Sequence, residues 1–295
     1  MTEKRTAVKE YCQSCGAVLH GKFCSECGEK KFDRSDLSFK KIILQGIDVF
    51  THFDSKIFAS VKLLVTKPGL LSVQYCKGVK VKYAKPIQLF FLINVLYFIF
   101  VSFGTFNTFN TPLYVHMNAT THRELANSMV EHKLDKKDLD SAQYNSKLAD
   151  YSKVFDTKVN ILSKSLIIII VPILALVLLL LFYNSKRLYT EDLIFSLNFL
   201  SWFLLFKVVF LDVLILLLSY LGKLLHFNAR AVLTDDSVSF FLFIIIGIYS
   251  YYAVNRFYGG KKWLNILRCI ALPYIFLNVV YLYRFILFII TFYST

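Results

Sequence analysis

Acidic residues are scarce in this chain, 20 Asp and Glu against 34 Lys and Arg, and the imbalance is unevenly placed. Residues 1–85 carry sixteen bases against eight acids, whereas residues 107–163 carry seven of each. A surplus kept to one side of the first hydrophobic segment argues against a nucleic-acid-binding role for the net charge of +14 and for a chain sorted across a bilayer. Cysteine is also scarce beyond one N-terminal quartet. Only Cys76 and Cys269 remain, too few and too scattered for a disulfide framework, and they read as buried or membrane-interface thiols. The first forty residues lack the apolar core of a cleavable signal, so insertion is expected to use the first spanning helix. There is no nucleophile elbow, paired-carboxylate set or phosphate loop, and nothing therefore specifies a reaction. An acidic relay, inverted repeats and paired broken helices, the marks of a transporter, are missing too.

What the chain has in quantity is apolar surface: 56% hydrophobic and 17% aromatic residues, with a mean hydropathy of +0.53. That composition points to a multi-pass membrane protein. Residues 1–34 are different. They hold Cys12-Gln-Ser-Cys15, a spacer of eight residues, then Cys24-Ser-Glu-Cys27, each turn followed by a glycine, Gly16 and Gly28. Two CxxC turns supply four thiolates for one closed tetrahedral site, so the sequence predicts a zinc ribbon with a structural Zn²⁺ on Cys12, Cys15, Cys24 and Cys27. A complete set of four leaves no open position for catalysis. Thiols kept reduced for a metal belong in the cytosol, which places the N-terminus inside. The module has few bases (Lys22, Lys30 and Lys31) and one candidate exposed aromatic, Phe23, so a protein-docking module, or a cap on its own membrane domain, is expected rather than a nucleic-acid reader.

Residues 35–85 carry apolar positions near the helical period, among them Phe39, Ile43, Ile47, Ile57, Val61 and Leu64, and predict a cytoplasmic amphipathic collar. The run Thr51-His52-Phe53-Asp54 divides it, with Asp54 able to cap the next helix, and Lys67-Pro68-Gly69 ends that helix. A third short helix is expected between Pro68 and Gly78. Lys77, Lys80, Lys82 and Lys85 then lie beside the bilayer, where each can draw anionic headgroups by about 1 kcal/mol.

The ordered motifs Gly21-Lys22-Phe23-Cys24-x-x-Cys27-Gly28-Glu29-Lys30, His52-Phe53-Asp54-x-Lys56, Lys67-Pro68-Gly69, Tyr75-x-x-Gly78 and Tyr83-x-x-Pro86 resemble a bacterial zinc-ribbon membrane family classed only as a domain of unknown function. The resemblance covers about the first third of the chain and implies no activity. It implies that residues 35–86 form one unit with the first spanning helix, and it marks His52, Asp54 and Lys56 as positions to follow.

Five hydrophobic segments are expected to span: 86–106, 166–183, 193–221, 238–257 and 270–290. Between the first two, Tyr144, Leu148, Tyr151, Phe155, Val159 and Leu162 recur every three or four residues, predicting an extracytoplasmic helical loop at 107–163 that runs straight into the second span, with a kink at Pro172. The loops at Lys186-Arg187 and Arg256–Arg268 fall in the cytosol, and the C-terminus outside. Tyr249, Tyr251, Tyr252 and Tyr258 are assigned to an inner aromatic belt. Three ionisable groups fall within spans, Lys207, Asp212 and Arg284. Asp212 and Arg284 are placed at matching depth as a pair, with Lys207 nearby or snorkelling. Asn94, Asn198 and Asn278 are read as interhelical hydrogen-bond donors.

Together these predict an all-α integral membrane bundle of about five transmembrane helices (86–295) with a small N-terminal zinc ribbon, in the bacterial cytoplasmic (inner) membrane. The function expected is non-catalytic: binding of a protein partner or assembly at the membrane, on anionic lipid. Two other readings stand beside it, a small transporter or channel using Lys207, Asp212 and Arg284, and a membrane-interface lipid-modifying enzyme using His52 and Asp54.

Overall fold

The computed structural model describes residues 10–33, 55–101, 109–136, 139–185, 187–207, 213, 217, 220 and 235–295. Ten α-helices are described: α1 (Ser55–Thr66), α2 (Leu70–Cys76), α3 (Pro86–Val101), α4 (Leu113–Asn118), α5 (Arg123–Lys133), α6 (Ser141–Leu166), α7 (Ile170–Leu181), α8 (Tyr189–Phe206), α9 (Asp235–Phe257) and α10 (Lys262–Ser294). Among the described residues β-structure is limited to two isolated bridges, Tyr11 with Val18 and Phe23 with Lys30. The chain divides into two compact units, Met1–Ile99 with Leu174–Pro273, and Phe100–Ile173 with Tyr274–Thr295.

Among the described residues three helices are long and apolar enough to cross a membrane: Ser141–Leu181, Phe240–Phe257 and Lys262–Ser294. α3 is apolar but has 16 residues, about 24 Å at 1.5 Å per residue, short of a ~30 Å hydrocarbon core. The rest of its expected span, residues 102–106, lies outside the described residues, as does most of 207–221. The expectation of about five spans is thus met by three candidate spans.

The first unit is built on α8. Every side chain from Asp192 to Leu204 is buried, so this helix is apolar all round because protein surrounds it. The collar supplies part of that surround: α2 packs against both α8 and α9, with Leu64, Leu71 and Tyr75 at 2–3% exposure. The collar thus packs under the helices. The α1–α2 break falls at Lys67-Pro68-Gly69, as the sequence predicts. Gly69 has φ 76° and a Cβ there would lie 2.5 Å from the Ala253 carbonyl oxygen, so the close approach of α9 requires glycine. Ser60 Oγ donates to the Lys56 carbonyl (2.7 Å) and accepts from the Ala84 amide (2.8 Å), tying the ends of the collar together. Asn198 Nδ2 donates to Ser72 Oγ at 2.9 Å, the interhelical bond expected of it, whereas Asn278 is exposed and donates to the Tyr274 carbonyl of its own helix. Tyr249 and Tyr258 leave the expected aromatic belt. Tyr249 stacks on Trp202 (3.6 Å) and bonds the Leu64 carbonyl, and Tyr258 stacks on Phe182 (3.9 Å), because apolar ring area is worth more inside the packed unit than at its edge.

In the second unit, α6 starts at Asp140, whose side chain accepts from the Gln143 amide at 2.7 Å. It runs through a 3₁₀ turn at Ile167–Ile169 into α7, the continuous helix the periodicity predicts. The tightening falls just before Pro172, which has no N–H for the Ile168 carbonyl. Tyr144, Phe155 and Val159 of the predicted stripe are buried; Phe155 meets Phe288 on the far half of α10 (5.9 Å between ring centres), and Tyr283 OH donates to the Ser163 carbonyl at 3.1 Å. Lys133 Nζ donates to the Phe292 carbonyl (2.9 Å) and Lys158 Nζ to that of Ser294. α5, α6 and the end of α10 therefore lie together.

Candidate metal centre

The cysteine module consists of two copies of one turn. In the first, the Cys12 amide donates to the Ala17 carbonyl (2.7 Å) and the Gly16 amide to the Cys12 carbonyl (2.9 Å). In the second, the Cys24 amide donates to Glu29 (2.8 Å) and Gly28 to Cys24 (2.9 Å). Gly16 and Gly28 close these turns with φ 80° and 72°, a region open to glycine. The two turns face each other. Cys12 Sγ lies 3.6 Å from Cys27 Sγ, Cys15 Sγ lies 3.5 Å from Cys24 Sγ, and all four sulfurs are within 4.8 Å of one another. A tetrahedral Zn–S₄ site with bonds of about 2.3 Å needs sulfurs about 3.8 Å apart, so the donor set fits, while a disulfide at about 2.05 Å is not formed. The amides of Cys15 and Ser14 draw the Cys12 thiol down to about 7. Although the Glu29 amide pulls the other way, burial and the three neighbouring sulfurs push Cys27 up to about 12. Four sulfurs this close cannot all ionise without a cation among them, and that crowding suits a divalent metal.

The module is fixed to the collar by a residue the sequence did not single out. Glu29, only 4% exposed, accepts with Oε2 from the amides of Lys80 (2.9 Å) and Val81 (2.8 Å). Phe32 lies against Gly78 so closely that a Cβ at Gly78 would sit 2.7 Å from it, and Gly78 has φ 91°. Lys80 Nζ stands 5.5 Å from the Tyr75 ring centre and 5.9 Å from that of Phe32. The Glu29 signal, an acid two residues after the last cysteine, becomes legible only when the collar is seen to present two amides to it. A polar cavity of about 590 Å³ remains between module and collar, lined by Glu10, Glu29, Lys31 and Cys76.

The other candidate residues are dispersed. His52, Asp54 and Asp212 lie outside the described residues, so neither the His52–Asp54 group nor the Asp212–Arg284 pair is brought together by the described structure. Lys56 sits in the first turn of α1, and its carbonyl accepts from Ser60. Lys80 is half-buried, with its ammonium over the rings of Tyr75 on the collar and Phe32 on the cysteine module. Lys82 is exposed, 5.8 Å from the Tyr83 ring centre, and the Lys85 carbonyl opens α3 by accepting from Leu89. Lys207 is 1% exposed and donates to Tyr97 OH at 3.0 Å, so it is held inside the first unit and does not snorkel. Arg284 lies 5.7 Å from the Tyr281 ring centre. Cys76 and Cys269 are buried, as expected.

Two further polar groups were missed by sequence reasoning. Asp192, buried just ahead of the expected third span, accepts from Tyr258 OH at 2.6 Å. Burial pushes its carboxyl up to about 6, opposed by that bond and by Arg187. In the second unit His116 is fully buried. Its Nδ1 is 2.9 Å from His122 Nε2, with Phe155 and Phe288 around it. Burial, then His122 and Arg284, push His116 down to about 3. Both are scattered polar residues whose partners only the tertiary structure supplies.

No curated protein and no solved structure matches the chain. Residues 54–98, which contain α1, α2, the Lys80–Val81 segment that holds Glu29 and most of α3, match the model of an uncharacterised family, described as a protein of unknown function (DUF3667).

Proposed function

We propose that this chain is a non-catalytic membrane protein whose cytosolic cysteine module holds one structural zinc ion, is seated on its own collar through Glu29, and offers its exposed aromatics to a protein partner. The observation that carries this is the four-sulfur cluster within 4.8 Å, joined by Glu29 to the segment that follows α2. Two exposed aromatics stand at the same place in the two turns, each just before the first cysteine: Tyr11 (56%), which borders the cavity beside the collar, and Phe23 (63%). Exposed aromatics on a rigid module are what a docking surface uses. Zinc would supply rigidity and no reaction, because all four positions are filled by protein sulfur.

We place the cysteine module and the α9–α10 turn in the cytosol and the 107–163 loop with the end of α10 outside, on five helices in the cytoplasmic membrane. This is supported by the cluster of Arg187, Phe257 and Tyr258 with Asp192 at one end of the first unit, and by the seating of Phe292 and Ser294 against Lys133 and Lys158 in the second. Both agree with the excess of bases on the inner loops.

The test is metal analysis of purified protein together with affinity capture from membranes. One zinc per chain is expected, falling to none in Cys12→Ser/Cys15→Ser, with a captured partner lost both there and in Tyr11→Ala/Phe23→Ala. A metal-free parent protein, or a partner retained by the cysteine variant, would sink the proposal.

A further inference from the structure

Between α9 and α10, within the first unit, lies an apolar groove of about 350 Å³, floored by Gly247 and walled by Ile244, Ile248, Tyr252, Ile266 and Ile270. These side chains are open to the outside: Ile248 is 55% exposed and Ile270 61%. From Phe243 to Tyr252 the groove runs about 14 Å at 1.5 Å per residue, half of a ~30 Å hydrocarbon core and so one leaflet deep. Gly247 keeps it open. A Cβ there would meet only ordinary contacts at 3.8 Å, so the position takes a side chain without backbone strain, and a large one would fill the groove.

The mouth of this groove is basic. Lys262 stands one helical turn before Ile266, and Arg256 one turn after Tyr252, so both lie on the faces that form the walls. Lys261 and Lys262 are exposed, and Arg256 is held at the mouth by donating to the Pro68 carbonyl. The turn between the helices is fixed by Asn265, which is fully buried and donates to the Gly259 carbonyl (2.7 Å) and Asn255 Oδ1 (2.8 Å). No acidic residue follows Asp236 in the sequence, so the turn end of this hairpin carries no counter-charge of its own, and Glu191 and Asp192 are engaged with Arg187 and Tyr258. Trp263, 60% exposed, stands beside Lys262 as an indole does at the headgroup level.

We propose that this groove binds an anionic phospholipid of the cytosolic leaflet, with one acyl chain laid along Gly247 and the phosphate at Lys261 and Lys262. An apolar slot one leaflet deep, ending in two exposed lysines and an interfacial tryptophan, matches the two halves of such a lipid, and a zwitterionic headgroup would bring its own cation against those lysines. The inference rests on α9 and α10 spanning a bilayer with their turn in the cytosol.

The chain has two tryptophans, and Trp202 is 4% exposed. Full-length protein carrying Trp202→Phe therefore reports on Trp263 alone. It is reconstituted in phosphatidylcholine vesicles containing phosphatidylglycerol or phosphatidylcholine brominated near the top of one chain. Brominated phosphatidylglycerol is expected to quench at several-fold lower mole fraction, with about a fivefold preference lost for each of Lys261→Gln and Lys262→Gln. Gly247→Leu is expected to weaken quenching by phosphatidylglycerol while Trp263 stays at the interface. Equal quenching by the two lipids, or a preference unchanged in the double lysine variant, overturns the site while leaving the membrane reading intact. Quenching by neither lipid overturns the site. It takes the spanning of α9 and α10 with it, unless an Ile248→Cys variant cross-links between copies, which would assign the groove to a second copy of the chain.

Discussion

Removing the Glu29 carboxylate tests how the cysteine module is held. In the parent protein its Oε2 accepts from two amides, Lys80 at 2.9 Å and Val81 at 2.8 Å, while being 4% exposed. A hydrogen bond to a charged group contributes about 1.5–3 kcal/mol, but Val81 is exposed and water can replace its partner, so the net loss in Glu29→Ala is set at about 2 kcal/mol. That is about a thirtyfold rise in the opening equilibrium of the segment. Hydrogen exchange followed by mass spectrometry reads it directly, since local opening controls exchange at those amides. Lys80 and Val81 should exchange about thirtyfold faster in Glu29→Ala, and by a smaller factor in Glu29→Gln, which keeps an acceptor without the charge. Stripping the metal should speed the same amides, because the second cysteine turn holds Glu29 through the Cys24 amide at 2.8 Å. Parent-like exchange at Lys80 and Val81 in a metal-loaded Glu29→Ala protein would refute the reasoning.

Gly69→Ala places a side chain at φ 76° and 2.5 Å from the Ala253 carbonyl oxygen. It should cost about 2–4 kcal/mol, seen as a melting midpoint several degrees lower in detergent, while alanine at Gly247 should cost little. The pKa of His116 sits near 3, below the ordinary 6.5, so an unfolded chain takes up a proton first as pH falls. Stability of the second unit should therefore be full above pH 6.5 and drop by a few kcal/mol towards pH 3, and His116→Gln should flatten that slope in pH-dependent thermal scans. Asp192→Ala leaves the buried Tyr258 hydroxyl without its acceptor and should destabilise by about 1–3 kcal/mol. Asp192→Asn keeps an acceptor and sheds the cost of a buried charge, so its melting curve should stay within about 1 kcal/mol of the parent.

Much of the local structure was determined by the sequence alone, since it follows from short-range chemistry. The CxxC spacing with a glycine after each turn dictates two turns that can share one metal. The Tyr144–Leu162 periodicity dictates a helix with one buried face, and Lys67-Pro68-Gly69 dictates a break because proline and glycine punctuate the backbone wherever they stand. Only the tertiary structure decided which polar groups meet. Glu29 reads as one more surface acid until Lys80 and Val81, fifty residues later, turn two amides toward it. The rings of Tyr75 and Phe32 beneath Lys80 are likewise a tertiary contact, and Tyr249 reads as a belt residue until Trp202 stacks on it. Hydropathy could not separate α8, which is wrapped by protein, from α9 and α10, whose Ile248 and Ile270 face outward, because burial in a neighbour and burial in lipid favour the same side chains.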